Sequence, residues 1–103
     1  MQQLTNWTEA GEGIQRRVLH AEGQMMAIEI ILNQGSQGAI HQHPHEQMTY
    51  CMKGRLKYTL EGKEVEISSG QLLYVPSQVP HGVIAVEDSH VIETFTPIRE
   101  DLL

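Results

Sequence analysis

From Ile14 to Thr96 the chain runs in short apolar stretches cut by turn residues about every eight to ten positions, a rhythm that leaves few folds open. Glu22-Gly23, Asn33 to Gly38, Lys53-Gly54, Glu61-Gly62, Ser68-Ser69-Gly70 and Glu87-Asp88 supply the breaks. Glycine enters φ > 0 freely, and Asn, Asp and Ser bond their own backbone, so each cluster favours a turn. The strands predicted between them are Ile14–Ala21, Met25–Leu32, Ile40–His43, Gln47–Lys53, Arg55–Leu60, Lys63–Ile67, Gln71–Val75, His81–Val86 and His90–Thr96. No segment of about ten residues carries a helical apolar stripe. Many short strands at even spacing predict an all-β sandwich or barrel. Residues 1–13 are polar and read as an N-terminal arm; 14–103 read as one barrel domain with a C-terminal tail.

Composition excludes several partners. With 40% hydrophobic and 19% charged residues, neither disorder nor a membrane span is expected. The net charge of −6, with only 7 Lys+Arg, argues against nucleic acid. The single cysteine, Cys51, allows no intrachain disulfide, and no basic n-region precedes an apolar stretch; both fit a cytoplasmic protein. Cys51 itself reads as a small buried hydrophobe.

The segment GSQGAIHQHPHEQMTYCMKG, Gly35 to Gly54, carries the chemistry. In an extended chain His41, His43 and His45 share a face, with Gln47 following at ligand spacing, and His81 adds a distant imidazole. Pro44 restricts the path at His45, which is expected at the rim. On the next strand Gln47, Thr49 and Cys51 share one side, and Met48, Tyr50 and Met52 the other. If Gln47 faces inward, the methionine and tyrosine side lies outside, and a homodimer is expected to cover it. Tyr50, Tyr58 and Tyr74 read mainly as packing residues.

These residues resemble the two motifs of the cupin superfamily, small double-sheet jelly rolls. Gly35, His41, His43, Gln47 and Gly54 stand at the positions of G-x5-H-x-H-x3-E-x6-G, with glutamine in place of glutamate. Gly70, Pro76, Gln78, His81 and Ala85 follow G-x5-P-x-G-x2-H-x3-N, with Gln78 for glycine and Ala85 for asparagine. HQHPHEQ and the tail from Glu93 through Phe95 and Pro97 to Arg99, Glu100 and Asp101 resemble the pectin-degradation (KdgF-type) cupins. The resemblance implies a jelly-roll barrel holding one divalent metal on His41, His43, Gln47 and His81. It implies a pocket lined by Phe95 and Arg99, and conversion of 4,5-unsaturated uronates into linear keto sugars, with Glu93 at a position usually held by aspartate.

Three imidazoles and an amide oxygen would leave a bound ion its full charge and favour a small anionic sugar or organic acid. Such donors suit Ni, Zn, Fe, Mn or Co. Glu93 and Phe95 share a strand face, so Glu93 is a candidate acid/base, and Arg99 is a candidate carboxylate clamp. A salt bridge from Arg99 to Glu100 or Asp101 is the competing reading. Two other functions stay open: a metal-dependent dioxygenase of a small organic substrate, and a non-catalytic sugar- or metal-binding protein.

Overall fold

The computed structural model describes residues 4–103, so Met1 to Gln3 of the expected arm lie outside the described residues. The strands are β1 (Thr8–Gly11), β2 (Ile14–Glu22), β3 (Met25–Leu32), β4 (Gln37–His41), β5 (Glu46–Lys53), β6 (Arg55–Leu60), β7 (Lys63–Ser68), β8 (Leu72–Val75), β9 (His81–Ala85) and β10 (Ser89–Thr96). A 3₁₀ turn follows at Glu100–Leu102. A six-stranded sheet, β1-β2-β3-β10-β5-β8, faces a four-stranded sheet, β4-β9-β6-β7, and every pairing is antiparallel. This is the jelly roll expected from the turn rhythm. Among the described residues no helix is long and apolar enough to cross a membrane.

Two details differ from the sequence expectation. Within the arm, Thr8–Gly11 pairs with β2 as an edge strand, and Thr5 bonds Val18 through both backbone and side chain. The segment lacks an apolar alternation, so nothing in its composition announced a strand. β4 runs from Gln37 to His41, not Ile40 to His43: the chain leaves the ladder ahead of the bend at Pro44–His45, where proline has no N–H to pair.

Period-two alternation builds the core. On β5 Gln47, Thr49 and Cys51 are buried, while Met48, Tyr50 and Met52 stand outside, as their spacing predicts. Ile14, Leu32, Leu56, Tyr58, Val75 and Val91 pack at one end of the interior; Val18, Met26, Ile28 and Phe95 pack at the other. Each large apolar side chain buried this way contributes roughly 1.5–3 kcal/mol. Gly54, the last glycine of the first motif, adopts φ +98° where an added Cβ would overlap Ser89 and the Asp88 carbonyl. Only glycine fits that turn.

On the outer face of the six-stranded sheet, Glu29 of β3 is buried between Arg17 of β2 and His90 of β10. Arg17 Nε donates to it at 2.7 Å, and the Arg17 guanidinium lies 4.5 Å from the Trp7 ring centre. Burial alone would raise the Glu29 pKa, but the Arg17 and His90 hydrogen bonds outweigh it and hold the carboxyl below its ordinary value. A depressed carboxyl pKa stabilises the fold above the unfolded-state value, and that gain is lost as pH falls through the folded value. Glu29→Gln is therefore expected to cost about 1–3 kcal/mol at pH 7. Thermal unfolding should show the gap between variant and wild type closing as pH falls through the acidic range.

Candidate metal centre and cavity

Three histidines meet where β4, β9 and the turn before β5 converge. His41 closes β4, His81 opens β9, and the two are register partners. A Cβ on the neighbouring Gly82 would lie 2.9 Å from Ile40 Cγ1, so the close approach of the two strands depends on glycine there. His43 lies just beyond β4, held by the Gln78 N–H, which donates to the His43 carbonyl at 2.7 Å. Gln78 sits at φ 65°, in the left-handed region that suits the glycine of the second cupin motif at this position.

One ring nitrogen from each histidine lies within 4.8 Å of the others. Every Nδ1 meets a backbone carbonyl: His41 with Ala39 at 3.0 Å, His43 with His45 at 3.0 Å, His81 with Val79 at 2.8 Å. A carbonyl only accepts, so each Nδ1 carries the proton and each Nε2 keeps its lone pair. Gln47 completes the group. Its Nε2 donates to Thr49 Oγ1 at 2.9 Å and Glu93 Oε2 at 3.1 Å, which turns Oε1 toward His43 Nε2 at 3.1 Å. With the Nδ1–H tautomer two acceptors thus face each other, an arrangement suited to a shared cation. Burial, with the Arg99 and His41 charges nearby, holds the His43 pKa below the ordinary imidazole value, and burial does the same at His81. A proton is disfavoured there, and the donor set fits a divalent metal.

His45 takes a different part. Its carbonyl orients His43, while its own ring stands outside the trio, 5.5 Å from the His43 ring centre. Its buried Nδ1 has no hydrogen-bond partner among the described residues.

Next to the trio is a cavity of about 160 Å³, lined by His41, Gln47, Tyr58, His81, Glu93 and Arg99 among others. Glu93 projects inward from β10 opposite Thr49. Burial pushes its pKa up to about 7, against the lowering influence of Arg99 and Thr49. Phe95, expected in the pocket, is 2% exposed and is not among the residues lining the cavity. There it meets the His43 ring edge-on at 5.8 Å and underlies the Arg99 guanidinium at 5.1 Å. The alternation did bring it inward, but His43 and Arg99 cover it. Arg99 lines the cavity and donates to Asp101 Oδ2 at 2.7 Å, so the expected salt bridge to the tail is formed. Cys51 is a fully buried thiol whose pKa burial raises, as its face on β5 predicts.

One charged cavity residue escaped the sequence reading, and Tyr58, read mainly as packing, lines the cavity as well. Arg16 lies on the inward face of β2 between Ile14 and Val18, and Tyr58 on the inward face of β6 beside Leu56. The signal was present, since a charged residue alternating with buried aliphatics faces the interior.

Residues 28–95 match the cupin domain family. The chain is 31% identical to the pectin degradation protein KdgF of Dickeya dadantii over 96% of its own length and 92% of that protein's. The structure of KdgF from a Halomonas species superposes with a TM-score of 0.90 at 35% identity, covering 96% of this chain and 92% of that one. An RmlC-like cupin from Shewanella frigidimarina gives the same TM-score at 30% identity, over 96% and 89% of the two chains. With its two motifs, its sandwich of antiparallel sheets and near full-length similarity to KdgF, the chain belongs to the cupin family and groups with the KdgF proteins.

Proposed function

We propose that this protein is a metal-dependent enzyme that opens 4,5-unsaturated monouronates, products of pectin or alginate cleavage, to linear keto sugars. The observation that carries the reading is the Gln47 amide, which faces the histidine trio at one end and Glu93 at the other. His41, His43, His81 and Gln47 Oε1 are the proposed ligands. A divalent transition ion there would supply Lewis acidity toward the substrate carboxylate and a neighbouring oxygen.

The reaction is an isomerisation. The C1 hydroxyl loses a proton as the C1–O5 bond breaks, leaving an aldehyde at C1. The ring oxygen becomes a ketone at C5, and C4 takes up a proton. Glu93, with a pKa near neutrality, can both accept and deliver a proton there. Arg99, steadied by Asp101 and Phe95, orients the carboxylate from the cavity wall. The cavity volume falls below the about 300–1,000 Å³ of sites for drug-sized ligands, which suits a single sugar ring.

The proposal includes a homodimer in the reducing cytoplasm. Met48, Tyr50 and Met52 of β5 and Leu72 and Tyr74 of β8 form an exposed apolar patch at the β8 edge of the six-stranded sheet. A second copy is its proposed cover. The free Cys51 suits a reducing compartment.

Three measurements test this reading. Elemental analysis of native protein should find one divalent transition ion per chain; His81→Ala should strip most of it, and full occupancy in a His41→Ala/His81→Ala variant would remove the site. With an unsaturated monouronate, loss of the conjugated chromophore should exceed the rate in buffer. Glu93→Gln should lower turnover by roughly 10²–10⁴-fold at unchanged metal content, while Arg99→Ala acts mainly on KM. No turnover of either pectin- or alginate-derived monomers by metal-loaded protein would leave a binding role as the better reading. For assembly, the mass in solution should be that of a dimer at micromolar concentration, and Tyr50→Lys should shift it to monomer.

A further inference from the structure

The cavity contains a second guanidinium with a different bonding state from Arg99. Arg16 occupies an inward position of β2, between buried Ile14 and Val18 and across from Ile30 of β3. It lines the cavity with Glu93, His41 and Gln47. It also lines a surface groove with Thr5, Thr8 and Leu102, and Leu102 borders both spaces, so Arg16 stands where the cavity opens outward.

Every other arginine is engaged: Arg17 with Glu29, Arg55 with Glu66 and Glu87, Arg99 with Asp101. Arg16 makes neither an ion pair nor a side-chain hydrogen bond among the described residues. Glu93 is close enough for the Arg16 charge to act on it, yet the two do not form an ion pair. A half-buried guanidinium facing a cavity retains a fork of N–H donors that matches a carboxylate bidentately. The Asp101 contact at 2.7 Å already uses part of the same fork on Arg99.

We infer that Arg16 is a second anchor for the carboxylate of the bound acid, its open fork acting with Arg99, whose guanidinium Asp101 already engages in part. The inference deepens the proposed uronate reading and rests on it for the ligand class. Arg16 acts as a binding residue that selects acids over neutral sugars.

Binding can be measured without turnover, by titrating the metal-loaded full chain with a saturated hexuronate and with its methyl ester. Wild type should prefer the acid by about 10–100-fold, the range of a charge-assisted hydrogen-bond pair. Arg16→Met, which keeps an apolar stem at the inward position, should lower that preference by about 10-fold while metal content and melting temperature stay at wild-type values. Arg16→Lys should restore part of it. Unchanged preference in Arg16→Met overturns the assignment, as does a wild type that binds acid and ester equally. Chromophore loss on unsaturated uronates reports separately on the proposed reaction, so an enzyme that turns over with its carboxylate held elsewhere is distinguished from one that does not turn over.

Discussion

The orientation of the Gln47 amide governs the rest of the site. The residue is 3% exposed, and a buried amide must satisfy its polar ends within the protein. Its NH₂ goes to Thr49 and Glu93, so its oxygen has to face His43, whose Nδ1–H is already committed to the His45 carbonyl. The departure from the first cupin motif follows from the same contact. A glutamate at this position would set a second carboxylate beside Glu93, and like charges at that distance cannot both ionise. Glutamine offers a donor to Glu93 and keeps an oxygen for the metal side.

The charge balance around the cavity differs from that of the whole chain. The protein carries a net charge of −6, yet Arg16 and Arg99 both line the cavity, and burial keeps Glu93 partly protonated near neutral pH. The proposed ligands are neutral imidazoles and an amide, so they would cancel none of an ion's charge. Locally the site favours an anion whatever the global sign. Hydrogen bonds and one cation–π contact hold the groups in place: three backbone carbonyls fix the imidazoles, Asp101 bonds Arg99 over the Phe95 ring, and Thr49 and Gln47 fix Glu93.

Much of this was legible before any coordinates. The turn clusters marked the strands from β2 to β10, because glycine and Asn/Asp/Ser have local preferences independent of tertiary context. β1 was not legible, since a short polar edge strand depends on its neighbour's open N–H and C=O groups and leaves no apolar pattern of its own. The strand predicted over Ile40–His43 had its end misplaced for a related reason: alternation marks side-chain faces but not where a ladder stops. The face of β5 was read correctly from period two alone, including buried Cys51 and the exposed Met48, Tyr50 and Met52.

Sequence by itself determined the sandwich, the two motifs and the candidate ligands, because strand periodicity and motif spacing are local properties of the chain. Tertiary structure decided which of these residues meet. His41 and His81 are far apart in sequence and come together only through β4–β9 pairing, while His45, in the same run, is left out by the bend at Pro44. Phe95 moved from pocket wall to support because His43 and Arg99 close over it, and Arg16 joined the cavity because β2 lies two strands from β10. Such neighbourhoods depend on sheet order and on what covers each side chain, and neither is encoded in the spacing of one strand's residues.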